Sequence, residues 1–361
     1  MSQTKGNLVH SGGFFNTLAQ GGTRTTDKYN FEPVHLLRGE GTSQSSMKKR
    51  PTKKLITQSL VLALVDIAKE EGNKRMEDKY WNTYHCFNRI KTDGKKAFGS
   101  YCKNRICLIC CANRKAKLIN TYFPIIKKWN NPCFLTLTRK SFTRTQLKEG
   151  IKQTKKSLQT IIKKCQKRHI RKGGPDNPKI VCLVTLECNY NPIAKTYNPH
   201  FHIITESLKI AHNLNVEWLR HHTKTETNCE GQKIKIIKKN EKENTLIEVV
   251  KYSTKIFTDP DMKKGKNKIK HPKIYAAAIH EIVKAFEGVR LLSTYGFQLP
   301  KIEKGVKKQE KADHDVKTWS YIPKHRNYIE DSTGEVMLID RHMPEAEVEY
   351  LVKHRLDNES F

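Results

Sequence analysis

Two periodicities of apolar and polar residues run through the chain, and together they predict a fold of mixed helices and strands. Apolar residues recur with the spacing of one helix face at residues 55–69, 115–129, 143–169, 214–222, 243–256 and 274–286. Runs rich in β-branched residues predict strands at 133–138, 180–188, 200–205 and 233–239. The order lacks the regular βαβ rhythm of a parallel sheet, and a loop at 189–199 suits an antiparallel hairpin. The pattern therefore predicts an α+β fold with an antiparallel central sheet flanked by helices.

These elements divide the chain into four parts. Residues 1–50 are rich in glycine, serine, threonine and charge without a clear period, which predicts a disordered basic tail. Residues 51–130 combine helical periodicity with a cysteine-rich stretch. Residues 131–300 contain the predicted strands, and residues 301–361 form a charged, weakly patterned C-terminal extension.

Charge narrows the range of partners. The chain of 361 residues has 68 Lys and Arg against 36 Asp and Glu, a formal net charge of +32. Self-repulsion of this size destabilises a compact state unless a polyanion screens it, and each neutralised phosphate releases counterions. Nucleic acid is therefore the expected partner. A basic surface that serves solubility or ribosome association is the alternative.

The sequence contains no signal for a membrane or for secretion. No run of about 18 apolar residues occurs, which predicts that no segment spans a membrane. The first residues lack the apolar core of a signal peptide. We therefore expect a cytoplasmic protein whose ten cysteines are thiols or metal ligands rather than disulfides.

A histidine pair on a predicted strand is the first candidate metal site. His200 and His202 flank Phe201, so strand alternation places both imidazoles on one face and Phe201 on the other. Two such imidazoles can chelate one divalent ion, with Glu187 from the preceding strand beside them in a hairpin. The carboxylate favours a hard ion, Mg²⁺ or Mn²⁺. The alternative is an incidental His-x-His triplet near a surface carboxylate.

The cysteine-rich stretch has the spacing of a structural zinc site. Cys102, Cys107 and Cys110 are separated by short intervals, and Cys86 lies upstream across a loop. Four thiolates would bind Zn²⁺ tetrahedrally and stabilise a short segment that lacks a core of its own. Cys111 can replace Cys110 by spacing alone. A redox role or an incidental cluster is the alternative.

A tyrosine on a predicted helix is the candidate nucleophile. Glu248 and Tyr252 are four residues apart and share a helix face, and Lys251 and Lys255 lie nearby. A phenol beside ammonium groups ionises more easily, and a tyrosinate can attack a phosphodiester. Glu248 can then serve as general base for a second attacker, a water or a DNA hydroxyl. The alternative is an ordinary amphipathic helix whose lysines form a solvated face.

In chain order, these features resemble the motifs of plasmid rolling-circle replication initiators (Rep proteins) of the HUH endonuclease superfamily. FLTLT, YNPHFHIIT and EVVKYSTK, at residues 134–138, 197–205 and 248–255, carry the resemblance. YCKNRICLICCANRKAK at 101–117 resembles the family's cysteine box, and GVRLLSTYGF at 288–297 its C-terminal conserved segment. The chain departs from the box at Leu108, where proline is usual, and at Cys111, where cysteine is not. The choice of thiol ligands therefore stays open.

The resemblance implies an HUH-like domain whose catalytic tyrosine is Tyr252 and whose water-activating glutamate is Glu248. It also implies a metal-dependent nick at a single-stranded or cruciform plasmid origin, a 5′-phosphotyrosine link and a free 3′-OH that primes replication. Host helicase, polymerase and single-strand binding protein are partners implied by the family alone. A relaxase or transposase of the same superfamily, or a non-catalytic zinc-stapled DNA-binding protein, is the alternative.

Overall fold

Helices and antiparallel strands make up most of the chain that the computed structural model describes, which is residues 32–33, 49–92, 97–252, 274–299, 316–337 and 352–353. The helices are α1 Arg50–Glu70, α2 Lys74–Tyr84, α3 Leu108–Ile126, α4 Leu147–Lys172, α5 Leu208–His221, α6 Lys242–Tyr252 and α7 Ala276–Ala285. The strands are β1 Glu32–Pro33, β2 Arg89–Thr92, β3 Ala97–Gly99, β4 Cys133–Leu137, β5 Cys182–Asn191, β6 Thr196–Thr205, β7 Lys233–Ile236, β8 Ile274–Tyr275, β9 Leu292–Tyr295, β10 Lys317–Ile322, β11 Asn327–Glu330 and β12 Val352–Lys353.

Among the helices that the structure describes, none is long and apolar enough to cross a membrane. The expected disorder of residues 1–50 falls almost wholly outside the described residues.

The central sheet has the strand order β7-β4-β6-β5-β9, and each neighbouring pair is antiparallel, as the sequence predicts. β5 and β6 lie in its middle, where both faces are covered. Leu186, Phe201 and Ile203 are buried, which explains why these strands have continuous apolar runs. β7 lies at the edge, and its exposed Lys233 and Lys235 are typical of strands that avoid pairing with another chain.

The prediction of a loop at residues 189–199 is wrong. β5 continues to Asn191 and β6 starts at Thr196, so the connection is a turn of four residues. The Asn191 side chain closes it by accepting hydrogen bonds from two backbone N–H groups of the turn. The proline and asparagine residues indicated a loop. Strand pairing and the packing of Tyr190 on Tyr197, with ring centroids 4.9 Å apart, outweigh that local preference.

Helices cover the central sheet and complete its core. α5 contributes Trp218, which is fully buried and meets Phe201 edge-on with ring centroids 5.9 Å apart. The Trp218 Nε1 also donates to the carbonyl of Thr138 at 2.9 Å. α6 packs on α3 and against β5 and β6, and its buried Leu246 and Val249 belong to the same core. The hairpin is therefore enclosed by helices that were predicted from periodicity.

Several predicted helices are present with different ends. The observed starts are Leu108, Leu147, Leu208 and Ala276, where the sequence predicted residues 115, 143, 214 and 274, and the strand predicted to reach 239 ends at Ile236. α3 begins early because Cys107 caps it by accepting a hydrogen bond from the backbone N–H of Cys110. The predicted helix at 243–256 is described only as far as Tyr252, and Lys255 lies outside the described residues.

A second antiparallel sheet joins distant parts of the chain in the order β1-β3-β2-β10-β11. Trp319 of β10 lies opposite Ile90 of β2. The buried Tyr328 of β11 donates its hydroxyl proton to the carbonyl of Phe87 at 2.7 Å, although 241 residues separate the two. The sequence patterns did not predict these C-terminal strands. Their partners lie beside the cysteine-rich stretch, far away in sequence.

Two glycines with left-handed backbones provide a test of the packing between β9 and the segment before β5. Gly296 has φ 77° and Gly288 has φ 71°. A Cβ on Gly296 would overlap the carbonyl oxygen of Ile180, whereas a Cβ on Gly288 meets no atom within 4 Å.

We therefore expect Gly288→Ala to reduce the free energy of unfolding by about 1 kcal/mol from backbone strain alone. Gly296→Ala should cost roughly 3 kcal/mol or more, because overlap adds to strain. Urea denaturation followed by circular dichroism measures both. Equal losses in the two variants would contradict this packing.

Candidate active site and metal centres

Three metal-ligating side chains meet on the central sheet. Glu187 of β5 pairs directly with His200 of β6, and His202 follows on the same face of that strand. The Oε2 atom of Glu187 lies 3.6 Å from His200 Nε2 and 3.2 Å from His202 Nε2, and the two Nε2 atoms are 3.1 Å apart. Ligand atoms about 2.1 Å from one ion lie roughly 3 Å from each other. This triad can therefore hold a single divalent ion.

Each imidazole of the triad has a partner for its other nitrogen. His200 Nδ1 lies 2.9 Å from the carbonyl oxygen of Asn198 and must donate to it, since a carbonyl only accepts. In the neutral ring the Nε2 atom of His200 therefore presents a lone pair, as metal ligation requires. His202 Nδ1 lies 3.4 Å from Thr136 Oγ1, and its ring stacks on Phe134 with centroids 5.3 Å apart. Sequence reasoning missed these supporting residues because strand register is needed to find them.

Burial and charge favour a cation in the triad. Glu187, His200 and His202 are at most 8% exposed. Burial alone would raise the pKa of Glu187, but hydrogen bonds and charge from the two histidines outweigh it and lower the pKa to about 2. The Glu187 Oε2 is buried and has no satisfying hydrogen-bond donor among the described residues, and it faces the two imidazole Nε2 atoms at 3.6 and 3.2 Å. A donor set of one carboxylate and two imidazoles fits a divalent ion.

The helix predicted to carry the nucleophile lies against the strands of the triad. α6 contacts both β5 and β6. Glu248 is exposed on it, and Tyr252, one turn further on, is the last residue of α6 that the structure describes. The side chains of Lys251 and Tyr252, and all of Lys255, lie outside what the structure describes. The catalytic roles of these four residues therefore stay predictions.

Four thiols converge before and at the start of α3. The sulfurs of Cys86, Cys102, Cys107 and Cys110 all lie within 4.8 Å of one another. The Cys86–Cys110, Cys102–Cys110 and Cys86–Cys107 pairs are each 3.6 Å apart. Sulfurs about 2.3 Å from a tetrahedral Zn²⁺ are roughly 3.8 Å apart, whereas bonded sulfurs are roughly 2 Å apart. The cluster can therefore hold one tetrahedral metal ion, and its thiols are not disulfide-bonded.

Cys111 lies outside this cluster, although spacing alone allowed it to replace Cys110. The two residues are consecutive in α3, so their side chains point about 100° apart around the helix. The Cys111 Sγ donates instead to the carbonyl of Arg105 at 2.9 Å. Burial raises the pKa of Cys111 to about 12, which keeps it a neutral thiol. The geometry therefore favours Cys110 as the fourth ligand.

A buried lysine lies beside the four thiols. Lys54 of α1 is 1% exposed, and its Nζ donates to the carbonyls of Tyr84 and Cys86, each at 2.5 Å. Burial lowers the pKa of Lys54 to about 8, and the charge of the cysteines opposes that change. Four thiolates around Zn²⁺ carry a net negative charge, which a buried cation partly offsets. Sequence reasoning missed Lys54 because periodicity does not reveal its position beside the cluster.

A third group of ligand-type side chains forms an ion-pair network. Glu71, His280 and Glu281 lie close together. Lys284 Nζ lies 3.0 Å from Glu71 and 3.1 Å from Glu281, and Arg144 contacts the same two carboxylates at 3.3 and 2.9 Å. Both carboxylates are therefore already neutralised. This network ties the end of α1 to α7 and needs no metal ion.

Comparison with known proteins finds one distant similarity. Over 130 residues the chain is 30% identical to a protein named Protein rep from Staphylococcus aureus. The match covers 34% of this chain and 53% of that protein, so the chain spans about half the length of the relative it matches. No family model matches the chain. No solved structure matches it either.

The adjacent cysteines provide a matched test of the zinc assignment. Freshly purified, reduced protein should contain about one zinc per chain, as a four-ligand site requires. Cys110→Ser removes one ligand and should lower the zinc content well below that of the wild type. Cys111→Ser should leave the zinc content unchanged, because the Cys111 thiol lies outside the cluster and donates a hydrogen bond to the carbonyl of Arg105.

Plasma mass spectrometry measures zinc per chain, with circular dichroism as the check that both variants fold. Equal zinc content in Cys110→Ser and Cys111→Ser, or no zinc in the folded wild type, would contradict the assignment.

Proposed function

We propose that this protein initiates rolling-circle replication of a plasmid by nicking one strand of the origin with a tyrosine nucleophile. The observation that carries the proposal is the buried triad of Glu187, His200 and His202 on strands that contact α6. The similarity to the Staphylococcus aureus Rep protein supports it. A metal triad on an antiparallel sheet, beside a helix with Tyr252, is the arrangement that the resemblance to HUH endonucleases implies.

The triad would hold Mg²⁺ or Mn²⁺, ions that accept mixed carboxylate and imidazole ligands. When bound, the ion would supply Lewis-acid polarisation of the scissile phosphate and help to position it. The protein's part is to hold three ligand atoms in place. Asn198 and Thr136 orient the rings, and the hairpin register sets Glu187 opposite His200.

Tyr252 is the proposed nucleophile. Its phenolate oxygen forms a bond to the phosphorus while the bond from phosphorus to the 3′ oxygen breaks. The released 3′ oxygen takes up a proton, which leaves a free 3′-OH and a 5′-phosphotyrosine link. Lys251 and Lys255, one residue before and three after Tyr252, supply positive charge that favours the ionised phenol. The 3′-OH then primes leading-strand synthesis.

Glu248 is the proposed general base of the terminating step. It is exposed one helical turn before Tyr252, so water or a DNA hydroxyl can reach it. The carboxylate takes the proton of that attacker, whose oxygen bonds to phosphorus as the tyrosine oxygen leaves. The DNA strand is thereby released and Tyr252 is restored.

The net charge of +32 supplies the general affinity for DNA phosphates. The proposal also includes recognition of a particular origin and cooperation with host helicase, polymerase and single-strand binding protein. These parts rest on the similarity to Rep proteins. The same triad and tyrosine would serve a relaxase or transposase. The second candidate is a non-catalytic DNA-binding protein whose fold is stabilised by zinc. The cysteine cluster favours this candidate, because a structural zinc site is expected whether or not the protein is an enzyme.

Removal of the attacking oxygen tests the catalytic role of Tyr252. We expect the wild type with Mn²⁺ to form a covalent adduct on a single-stranded oligonucleotide from the DNA around its own gene. Tyr252→Phe should form none, and His202→Ala should form none because one metal ligand is lost. Tyr295→Phe, a tyrosine of β9, is the matched control and should retain activity.

Denaturing gels of tiled oligonucleotides resolve the adduct. If folded, metal-loaded wild-type protein forms no adduct on any of the oligonucleotides, the result would favour the non-catalytic candidate. Adducts mapped to a replication origin rather than a transfer origin or a transposon end would distinguish the initiator from the other nickases.

Substitution of Glu248 separates the two half-reactions. Glu248→Gln should form the adduct at a rate close to that of the wild type, because Tyr252 supplies the first attack. Release of the DNA should slow by about 100-fold or more, the usual contribution of a general base. Glu243→Gln, exposed in the first turn of α6, is the control. Loss of adduct formation in a folded Glu248→Gln variant would show that the division of roles is wrong.

A further inference from the structure

One lysine on the edge strand of the central sheet shares a face with the triad. β7 pairs with β4 so that Lys233 lies opposite Thr136, and β4 pairs with β6 so that Thr136 lies opposite His202. Side chains directly opposite each other in antiparallel strands lie on the same face of the sheet. Lys233, Thr136 and His202 therefore form one row across three strands. The distance of 3.4 Å between Thr136 Oγ1 and His202 Nδ1 shows that the row is continuous between β4 and β6.

The other face of β7 belongs to the core. Ile234 is half-buried and packs against the main hydrophobic core, so strand alternation directs Lys233, the residue before it, to the triad face. The side chains of β4 on that face are Phe134 and Thr136, and both are half-buried. The surface between Lys233 and His202 is therefore partly open to solvent.

Lys233 differs in its pairing from the next lysine on the same face. The Nζ of Lys235 lies 3.2 Å from Glu241, which neutralises its charge. Lys233 is exposed, and no carboxylate among the described residues forms an ion pair with it. Protection of a sheet edge against pairing with another chain would explain both lysines equally. The difference in pairing leaves Lys233 as a cation that can bind an anion on the triad face.

The backbone that carries Lys233 is fixed to the end of β4. The side chain of Gln232 accepts a hydrogen bond from the backbone N–H of Thr138 at 2.8 Å and donates one to the carbonyl of Thr138 at 3.1 Å. It also donates to Thr227 Oγ1 at 2.8 Å. The Thr138 hydroxyl donates to the carbonyl of Gly231 at 2.9 Å. The Cα of Lys233 is thus held in place, and the region that its ammonium group can reach is limited.

The distance from Lys233 to the triad decides which phosphate it can contact. Neighbouring strands lie about 4.8 Å apart, so the Cα of Lys233 is roughly 10 Å from that of His202. The four-carbon stem of a lysine spans part of this gap. The Nε2 of His202, however, faces Glu187 on β5, away from β7. The Lys233 ammonium therefore falls short of a phosphate held at the triad and reaches the next phosphate of the same strand.

We propose that Lys233 binds the backbone phosphate next to the scissile one and thereby fixes which phosphate lies at the triad. The assignment rests on the proposed nicking function, which supplies the scissile phosphate. Contacts to phosphates set the register of a protein on nucleic acid without reading its sequence. Lys233 takes no part in proton transfer. It acts by placing the strand, since a small misplacement of the reacting group slows a reaction strongly.

A double-mutant cycle between the protein and the DNA tests this contact. Lys233→Gln removes the charge and Lys233→Arg retains one. Lys235→Gln is the matched control, because it removes the same formal charge from the same strand and face. Each protein is combined with oligonucleotides in which one phosphate at a time is replaced by a neutral methylphosphonate. The parent oligonucleotide is the one that forms the adduct or, if none does, the tiled oligonucleotide that binds most tightly.

Fluorescence anisotropy without Mn²⁺ measures the affinities at several salt concentrations. Lys233→Gln should weaken binding by roughly three- to tenfold and lower the slope of log affinity against log salt by about 0.7, the contribution of one phosphate in a single strand. A methylphosphonate next to the scissile position should weaken wild-type binding similarly and add nothing in Lys233→Gln. Lys233→Arg should retain this coupling.

The rate of adduct formation with Mn²⁺ provides a second readout. Lys233→Gln should slow it by roughly 100-fold, because the scissile phosphate is then misplaced. Lys235→Gln should remain close to the wild type, since Glu241 already neutralises that lysine.

Three results would overturn the proposal. These are additive effects of Lys233→Gln and every methylphosphonate, equal effects of Lys233→Gln and Lys235→Gln, and coupling to the scissile phosphate itself. The binding cycle needs neither Mn²⁺ nor Tyr252, so its outcome is separate from the nicking assay. Coupling of Lys233 to one phosphate without any adduct would refute the tyrosine nickase and leave the phosphate contact standing. An adduct together with purely additive effects would refute the role of Lys233 alone.

Discussion

The register of the β5–β6 hairpin is the constraint on which the proposed chemistry depends. It sets Glu187 opposite His200 and brings three ligand atoms within 3.6 Å of one another. A slip of one residue would move Glu187 to the face of Phe201 and Trp218, where a carboxylate has no partner. Pairing of β6 with β4, and of β5 with β9, holds the register from both sides. The buried carboxylate is thus tolerated because two imidazoles, and in the proposed function a cation, compensate it.

The cysteine cluster is the second constraint, and it belongs to a small hydrophobic core of its own with Phe87, Ile90 and Ile109. Four sulfurs draw the start of α3 and the loop before it together, and Lys54 lies against them. β10 and β11 close the same region from the other end of the chain through Trp319 and Tyr328. The cysteine cluster and strands from the far end of the chain therefore stabilise the same segment. The four thiols that can hold a metal ion and the packing of the C-terminal strands are thus linked in one segment.

Residue patterns alone predicted the parts of the molecule that depend on short-range order. Alternation placed His200 and His202 on one face, and the hairpin brought Glu187 alongside, as the structure has it. Local preference failed at residues 189–199, where pairing of adjacent strands replaces the predicted loop, and the C-terminal strands failed because their contacts span long distances in sequence. The strands of residues 317–330 pair with a segment more than 200 residues earlier, and no local period reveals that. The distinction between Cys110 and Cys111 needs the helix cap at the start of α3.

The measurement that tests the central claim most directly is the identification of the residue joined to DNA. The adduct formed with Mn²⁺ would be digested with nuclease and protease, and the peptide that retains a nucleotide would be sequenced by mass spectrometry. We predict a 5′-phosphate ester on Tyr252. A nucleotide on another tyrosine, on a serine, or joined through its 3′ phosphate would contradict the account, even if the triad proves to bind a metal ion.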